Sequence, residues 1–214
     1  MIREEAIEDE NYVKDYCDKN HIECFIKRID VLKMANDNKM GTEEAGRNVR
    51  YQFFEEVMKK TNANKIGIAH NKNDKVETII MHLLRGSGLS GLKGIEPMRD
   101  NRYIRPLIEC ERLEIEQYCE ENNLQPRIDK TNFENEYTRN KIRNIVIPYI
   151  KQEFNPNIIE TINRFSELIL EEDEYLCKIT EETYHNIFIS RNQQEIILDL
   201  KKFNMQEIVI KKRL

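Results

Sequence analysis

The sequence predicts an α/β protein in which a parallel sheet with helices is followed by a mainly helical region. Short apolar runs typical of buried strands alternate with longer helical patterns in the first half of the chain. After about residue 110 the strand-like runs become scarce, while the helical patterns continue. The composition, with 39% hydrophobic and 34% charged residues, is that of a globular protein that can bury a core.

The first elements follow from their apolar spacing. A helix over residues 4–19 precedes a strand in IECFIKRI, residues 22–29. Residues 42–60 predict a long helix, because apolar side chains recur at every fourth position. The apolar run KIGIA, residues 65–69, predicts a second strand, and it leads into a helix over 73–85 that ends at glycines.

The second half of the chain is predicted to be helical over three further stretches, 111–122, 138–152 and 156–187. A strand is expected near residues 193–200. Pro148 and Pro156 interrupt the helical pattern between them. We therefore predict one domain over residues 1–150 and a second region, a helical linker and the start of another domain, over 151–214.

Charge, cysteine and hydropathy patterns exclude several classes of protein. The formal net charge of −5 excludes a general polycation, so any contact with nucleic acid must come from local basic patches. The five cysteines form no CxxC pair and are expected to be reduced thiols of a cytoplasmic protein. No apolar run approaches the roughly 18 residues that a membrane span needs, so no membrane association is predicted.

The stretch IGIAHNKNDKVETIIMHLLRGSG, residues 66–88, places reactive side chains where a strand gives way to a helix. These candidate site residues are His70, Asp74, Glu77, Thr78 and Arg85. At about 100° per residue, the helix has a predicted core face made of Val76, Ile79, Ile80, Leu83 and Leu84. Asp74, Thr78 and Arg85 point away from this face, and Glu77 lies at its flank.

Two interpretations of this stretch remain open on spacing alone. An amphipathic helix often begins with carboxylates, because they suit the positive end of the helix dipole. However, the ligand crevice of an open α/β sheet lies at the carboxyl ends of its strands, where His70 and Asp74 are predicted to be. The loop that follows holds four of the seven glycines of the chain and would let backbone approach a ligand closely.

A second dense stretch, QPRIDKTNFENEYTRNKIRNIVIP, covers residues 125–148. Its predicted core stripe consists of Ile142, Ile145, Val146 and Tyr149. Asn140 and Arg143 lie off that stripe, and Arg139 lies near its edge. Such a set of arginines and amides suits phosphate or carboxylate binding, although a solvated helix face would carry similar residues.

These residues carry a resemblance to the tRNA(Ile)-lysidine synthetases. AHNKNDKVETIIMHLLRGSGLSGLKGI resembles their signature A-H-x-x-D-x-x-E-T…R-G-x-G-x-x-G-L-x-G-[IM], and EEAGRNVRYQFF resembles their segment E-E-A-x-R-x-x-R-Y. IRPLIECERLEIEQYC and the stretch that ends in YTRNKIRNIVIP resemble a third segment, R-P-L…R-x-E-I…D-x-[ST]-N…Y-x-R-N-x-[IL]-R…P. The resemblance extends over nearly the whole chain in one order.

The resemblance implies a partial Rossmann-like sheet of the adenine nucleotide alpha hydrolase type and a ligase activity. ATP would adenylate the wobble cytidine of tRNA(Ile), and the amine of L-lysine would then displace AMP; Mg²⁺ is implied as well. Asp74, Glu77 and Arg50 would be the catalytic residues. The residues implied to bind ATP or substrate are His70, Thr78, Arg85, Asn132, Arg139, Asn140 and Arg143. No residue is assigned to a metal, and residues 151–214 would begin a tRNA-binding domain.

The chain also departs from the family pattern, and this leaves alternatives open. It contains no S-G-G-x-D-S sequence, the phosphate loop with which PP-loop ATPases open. We therefore expect an incomplete chain that lacks the first strand, the phosphate loop and the C-terminal domains, is inactive on its own, and self-associates as a homo-oligomer through uncovered strands. The alternatives are a non-catalytic remnant that binds tRNA or self-associates, and another PP-loop tRNA-modifying enzyme such as a thiolase.

Overall fold

The structure is a computed structural model that describes residues 4–127 and 134–214. Its helices are α1 (Glu4–Lys19), α2 (Val31–Asp37), α3 (Thr42–Thr61), α4 (Lys72–Leu84), α5 (Leu89–Leu92), α6 (Arg112–Glu121), α7 (Thr138–Lys141), α8 (Ile147–Glu153), α9 (Ile158–Ile187), α10 (Leu200–Asn204) and α11 (Ile208–Lys211). Its strands are β1 (Ile66–Gly67), β2 (Met98–Arg99), β3 (Tyr103–Ile104), β4 (Phe188–Arg191) and β5 (Ile196–Leu198). A π-helical turn, Ile142–Val146, joins α7 to α8.

The protein is mixed α/β and about 60% helical, as the alternating pattern predicted in outline. Each long helix expected from the sequence is present, with its ends shifted by at most a few residues. No helix in the described ranges is long and apolar enough to cross a membrane. The described residues form two compact units, residues 4–71 with 97–127 and residues 72–96 with 134–214. The division near residue 150 stays a prediction.

The first unit contains a three-stranded sheet in the order β1-β3-β2. β1 runs parallel to β3, with Ile66 opposite Tyr103 and Gly67 opposite Ile104. β2 and β3 form an antiparallel hairpin joined by residues 100–102, of which Asp100 and Asn101 have φ of 54° and 50°. Such left-handed turn residues match the twist of a tight hairpin. The sheet is therefore small, with a single parallel pair among the described strands.

The predicted strand over residues 22–29 is wrong, because this segment has no strand conformation. A strand needs a neighbouring backbone, whereas here side chains hold the segment to α1 and α3. Arg28 donates to both carboxylate oxygens of Glu10, at 2.7 and 3.0 Å. Lys27 Nζ lies 2.5 Å from Glu56 Oε2. These contacts fix the segment without a hydrogen-bond ladder.

The second unit is built around α4, the helical stretch 138–153 and α9. Its core cluster consists of Val76, Ile80, Ile142, Ile147 and Ile159. Asp173, on the long helix α9, accepts a hydrogen bond from Arg213 at 2.6 Å. It also forms an ion pair at 3.4 Å with Lys93, which lies in the glycine-rich loop over residues 85–94. The hydrogen bond from Arg213 is the main cause that lowers the pKa of Asp173.

Both predicted core stripes are wrong in part. Leu83 and Leu84 are exposed, because α4 ends there and only its first three turns are covered. Ile145 and Tyr149 are also exposed, whereas Ile142 and Ile147 are buried five residues apart. The π turn explains this spacing, because its hydrogen bonds span five residues and shift all later side chains around the helix axis.

The glycine-rich loop has a packing reason at one position. Gly94 has φ of +69°, and a Cβ atom there would lie 2.7 Å from Ile79 Cγ1. Gly88, in contrast, has φ of −72° and open space around its Cα. The loop therefore needs glycine at residue 94 in order to pack on α4.

We predict that Gly94→Ala lowers the free energy of unfolding by about 1–3 kcal/mol, because it adds both a clash and a strained backbone. Gly88→Ala is the matched control and should change stability by less than about 0.5 kcal/mol. Urea denaturation followed by circular dichroism measures both. Equal effects of the two substitutions would contradict the packing role of Gly94.

We also predict a pH-dependent contribution from Glu10, whose pKa is lowered to about 2 by its hydrogen bonds with Arg28 and Lys14. Because the folded pKa lies below the usual value of 4.5, this contribution is complete above that value and is lost as the pH falls toward 2. The melting temperatures of the parent chain and Glu10→Gln should therefore differ at pH 6 and converge as the pH falls from 4.5 to 2. Glu23→Gln, at an exposed carboxylate, should show no such convergence.

Candidate functional site

The candidate site lies in the second unit, where α4 faces the helical stretch 138–153. Asp74 and Glu77 are three residues apart in the first turns of α4, so their carboxylates share one side of the helix. Arg139 and Arg143 are four residues apart, at α7 and in the π turn, and they too share a side. Two acidic and two basic side chains therefore project into the same space.

The four side chains form one closed network, meaning a ring of hydrogen bonds in which each carboxylate accepts from both arginines. Arg143 Nε donates to Glu77 Oε1 at 2.6 Å, and its Nη2 donates to Glu77 Oε2 at 2.8 Å. Arg139 Nε donates to Glu77 Oε2 at 2.9 Å. Both arginines also reach Asp74 Oδ1, each through Nη2 at 3.1 Å. Two carboxylates and two guanidiniums thus balance in charge.

Burial is graded across the network. The side chain of Glu77 is 2% exposed, those of Asp74 and Arg143 are 16% and 19% exposed, and that of Arg139 is 36% exposed. A buried carboxylate needs paired charge, and Glu77 receives three hydrogen bonds from the two arginines. The bond with Glu77 raises the pKa of Arg143, against an opposing effect of burial. Arg139 is therefore the member of the network that is most accessible to solvent.

The π turn places Arg143 within this network. The five residues Ile142–Val146 form the turn, and Ile142 points into the core while the next residue, Arg143, reaches Glu77. Such turns are wider than an α-helix and are frequent at functional sites. The apolar spacing of the sequence gave no sign of it.

Other predicted site residues lie beside the network or elsewhere. The hydroxyl of Thr78 donates to the backbone oxygen of Asp74 at 2.8 Å, within α4. Asn140 Nδ2 donates to the backbone oxygen of Glu134 at 2.7 Å, which fixes the chain leading into α7. Arg85 is exposed just after α4 ends. Asn132 lies outside the described residues.

His70 and Arg50 lie in the first unit, which holds a second group of polar residues. Arg50 is exposed on α3. His70 follows β1, and Arg105 follows β3, so both stand at the carboxyl ends of two parallel, paired strands. Arg105 Nε donates to His70 Nδ1 at 3.3 Å, so the two side chains are joined at this edge of the sheet.

Sequence reasoning missed Arg105 as a site residue. It is only 7% exposed, and it sits at the edge of the sheet where α/β proteins bind ligands. The signal was present in IRPLI, but the strand before it is two residues long and has no recognisable pattern. A buried arginine in this position is a further candidate for contact with an anion.

The described residues contain no preformed cluster of metal ligands. Among them, no group of three or more histidine, cysteine, aspartate or glutamate side chains converges as metal ligands would. The two carboxylates of the network already face guanidiniums. No step below is therefore assigned to a metal.

Comparisons with known proteins agree on one family. A family model described as a PP-loop domain matches residues 1–150. The tRNA(Ile)-lysidine synthase of Clostridium acetobutylicum is 46% identical over 207 residues, which are 97% of this chain and 45% of that protein. The enzyme of the same name from Caldanaerobacter subterraneus subsp. tengcongensis is 45% identical over 215 residues, 100% of this chain and 46% of that protein. The one from Bacillus subtilis is 34% identical over 195 residues, 90% and 41% of the two chains. The chain spans a little under half the length of these curated relatives.

We predict that Glu77→Gln lowers the free energy of unfolding by about 3 kcal/mol, because it leaves two guanidiniums with one carboxylate. The matched control is Glu160→Gln, since Glu160 pairs with Lys72 but is 47% exposed, and it should lower stability by less than about 1 kcal/mol. Adding Arg143→Met to Glu77→Gln should restore part of the loss, because it removes an unpaired charge. Urea denaturation of the four proteins tests this. A double variant less stable than Glu77→Gln alone would contradict the charge argument.

Proposed function

We propose that this chain takes part in the ATP-dependent attachment of lysine to the wobble cytidine of an isoleucine tRNA. The premise is that the chain belongs to the tRNA(Ile)-lysidine synthase family of PP-loop proteins. In this reaction ATP adenylates the cytidine, and the amine of L-lysine then displaces AMP. The observation that carries the proposal is the closed network of Asp74, Glu77, Arg139 and Arg143, which lies within the segments that resemble the family signature.

The chemistry of the network suits lysine. Free lysine carries two ammonium groups and one carboxylate, so a site for it needs both acidic and basic side chains. A lysine that enters from solvent meets Arg139 first, because that side chain is the most exposed of the four, and of the two carboxylates it meets Asp74 before the buried Glu77. An ammonium would exchange places with a guanidinium at Asp74, and an anionic group would pair with Arg139.

The difference in exposure between Asp74 and Glu77 suggests different roles for the two carboxylates. Asp74 is the one that contacts the ligand and helps its amine to lose a proton before attack. Glu77, with three hydrogen bonds from two arginines, acts as a positioning residue that holds both guanidiniums in place. Thr78 and Asn140 support the elements that carry the network through their backbone bonds, and Arg85 and Asn132 are kept as substrate contacts on the resemblance alone.

The ATP phosphates are assigned to the first unit in this proposal. His70 and Arg105 stand at the carboxyl ends of parallel strands, the edge at which Rossmann-like proteins bind nucleotides, and Arg50 would meet a phosphate. The finer fold, an adenine nucleotide alpha hydrolase type of sheet, belongs to the same proposal. So do a requirement for Mg²⁺, a cytoplasmic location and association into a homo-oligomer.

The shared name of the relatives favours this function over the alternatives. A thiolase of the PP-loop type would use paired cysteines, whereas all five cysteines here are free and form no CxxC pair. A protein that only binds tRNA would have no need of a closed network of two carboxylates and two guanidiniums at a family motif.

The test is a chimaera of the Clostridium acetobutylicum relative in which its aligned 207-residue segment is replaced by this chain. Purified chimaera is given ATP, labelled lysine and an isoleucine tRNA transcript, and lysine bound to tRNA is measured. Lysine incorporation that depends on ATP supports the proposed function. A folded chimaera without incorporation, under conditions in which the parent relative works, would contradict it.

We predict that Asp74→Asn lowers turnover of the chimaera by about 10²-fold or more, because it removes the carboxylate that contacts the lysine amine. Glu77→Gln should lower turnover similarly and raise the lysine concentration needed, since it releases both arginines. Glu160→Gln is the control with the same charge change and should leave turnover within about twofold of the parent. Near-normal turnover of Asp74→Asn would disprove its role.

A further inference from the structure

A second arginine-rich site lies in the first unit, apart from the residues used above. It is a cavity of about 590 Å³ between α3 and the β2–β3 hairpin, and we call it the tyrosine–arginine cavity. Tyr51 and Tyr103 form its aromatic walls, and its guanidiniums come from Arg47, Arg99 and Arg102. Arg47 and Tyr51 belong to the segment EEAGRNVRYQFF, in which only Arg50 has been given a role above.

Regular backbone positions the residues of the cavity. Arg47, Tyr51 and Glu55 are four residues apart on α3, so they line one side of the helix. Arg99 ends β2, and Arg102 is the last residue of the loop that joins β2 to β3. The left-handed φ values of that loop hold the hairpin in one tight form. The cavity is therefore built on rigid elements.

Two of the guanidiniums make no hydrogen bond within the described part of the chain. Arg99 Cζ lies 4.7 Å from the ring centroids of both Tyr51 and Tyr103. Arg47 Cζ lies 5.3 Å from the centroid of Tyr51. Stacking on aromatic faces orients a guanidinium but leaves its N–H donors in the ring plane available. This differs from Arg139 and Arg143, whose donors are paired with carboxylates.

The two carboxylates of the cavity, Glu55 and Asp100, do not satisfy the N–H donors of Arg47 and Arg99 with aligned hydrogen bonds. Glu55 accepts from the hydroxyl of Tyr103 at 2.7 Å and from Arg102 Nη1 at 3.3 Å. Burial, and then the bond with Glu55, raises the pKa of Tyr103, so its hydroxyl stays a donor. Asp100 Oδ2 is 3.2 Å from Arg99 Nε, yet this buried nitrogen has no aligned hydrogen-bond partner. Three guanidiniums and two carboxylates leave one net positive charge.

We infer that the tyrosine–arginine cavity binds a phosphate group, presented by an RNA strand. The guanidiniums of the cavity are charged and held in orientation, and some of their N–H groups have no acceptor. Phosphate oxygens are suitable acceptors, because two of them can accept parallel hydrogen bonds from one arginine. The chain carries a net charge of −5, so its overall charge would repel RNA, and any attraction for phosphate must come from local basic groups such as those of this cavity. The choice of RNA over a small phosphate rests on the proposed function, whereas the preference for phosphate rests on the cavity itself.

The experiment measures binding of the full 214-residue chain to a fluorescein-labelled single-stranded RNA of about ten nucleotides by fluorescence anisotropy. Arg47→Gln is the main variant, because Arg47 is exposed on α3 and its loss should leave folding intact. It should weaken binding about tenfold and reduce the slope of log affinity against log salt by about 0.7. Arg99→Lys, which keeps the charge but loses the planar fork, should also weaken binding.

Arg191→Gln is the matched control, since Arg191 is exposed on β4 and its loss changes the net charge equally. It should leave affinity within about twofold. Thermal unfolding of each variant confirms that it folds. Inorganic phosphate and AMP are tested on the same proteins by titration calorimetry, so that the two sources of phosphate can be told apart.

Loss of RNA binding in Arg47→Gln but not in Arg191→Gln supports the site with RNA as its ligand. Loss of phosphate or AMP binding in Arg47→Gln, with RNA binding unchanged, keeps the phosphate site but assigns it to a small molecule. Equal effects of Arg47→Gln and Arg191→Gln, or no binding of any probe, would overturn the inference. Because no step needs lysine transfer, failure here is distinct from failure of the chimaera.

Discussion

The buried carboxylate of Glu77 is the constraint on which the site depends. It lies 2% exposed between two helical segments, and each contributes charge that the other needs. Without Arg139 and Arg143, burial of this carboxylate would be strongly unfavourable; without the carboxylate, two guanidiniums would crowd one another. The core around Ile142 and Ile159 must therefore hold the helices in a register in which all three side chains meet.

Helices and family motifs could be predicted from the sequence because both are local. A period of 3.6 residues marked α3, α4 and α9, and the family signature named Asp74, Glu77, Arg139 and Arg143 before any geometry was known. The short strands could not be predicted, since β2 and β3 are each two residues long, and β3 also depends on pairing with the distant backbone of β1. The extended segment 22–29 failed for the opposite reason, because it has strand-like composition without a paired neighbour.

A helical projection of the sequence could not predict which side chains of the site are buried, because burial depends on contacts between elements. A projection of α4 alone puts Glu77 at the flank, and only the arginines from another element make it the most buried member of the network. The π turn is equally invisible to it, because one wider turn displaces every later side chain and exposes Ile145 and Tyr149. Projections give a face relative to the helix axis, whereas burial depends on what packs there.

The two arginine groups differ in what they leave unsatisfied, and this difference decides what each can do. In the network with Asp74 and Glu77, charges balance, so a ligand must displace existing bonds and gains selectivity from having to match both signs. In the tyrosine–arginine cavity, Arg47 and Arg99 are oriented by stacking and make no aligned hydrogen bond, although Arg99 Nε lies 3.2 Å from Asp100 Oδ2, so an anion can bind to donors that are not yet used. A zwitterion such as lysine fits the first arrangement, and a repeated, sequence-independent anion such as a phosphate fits the second. Under the proposed function the network would select the amino acid and the cavity would hold an RNA phosphate, and these two tasks call for the two different arrangements.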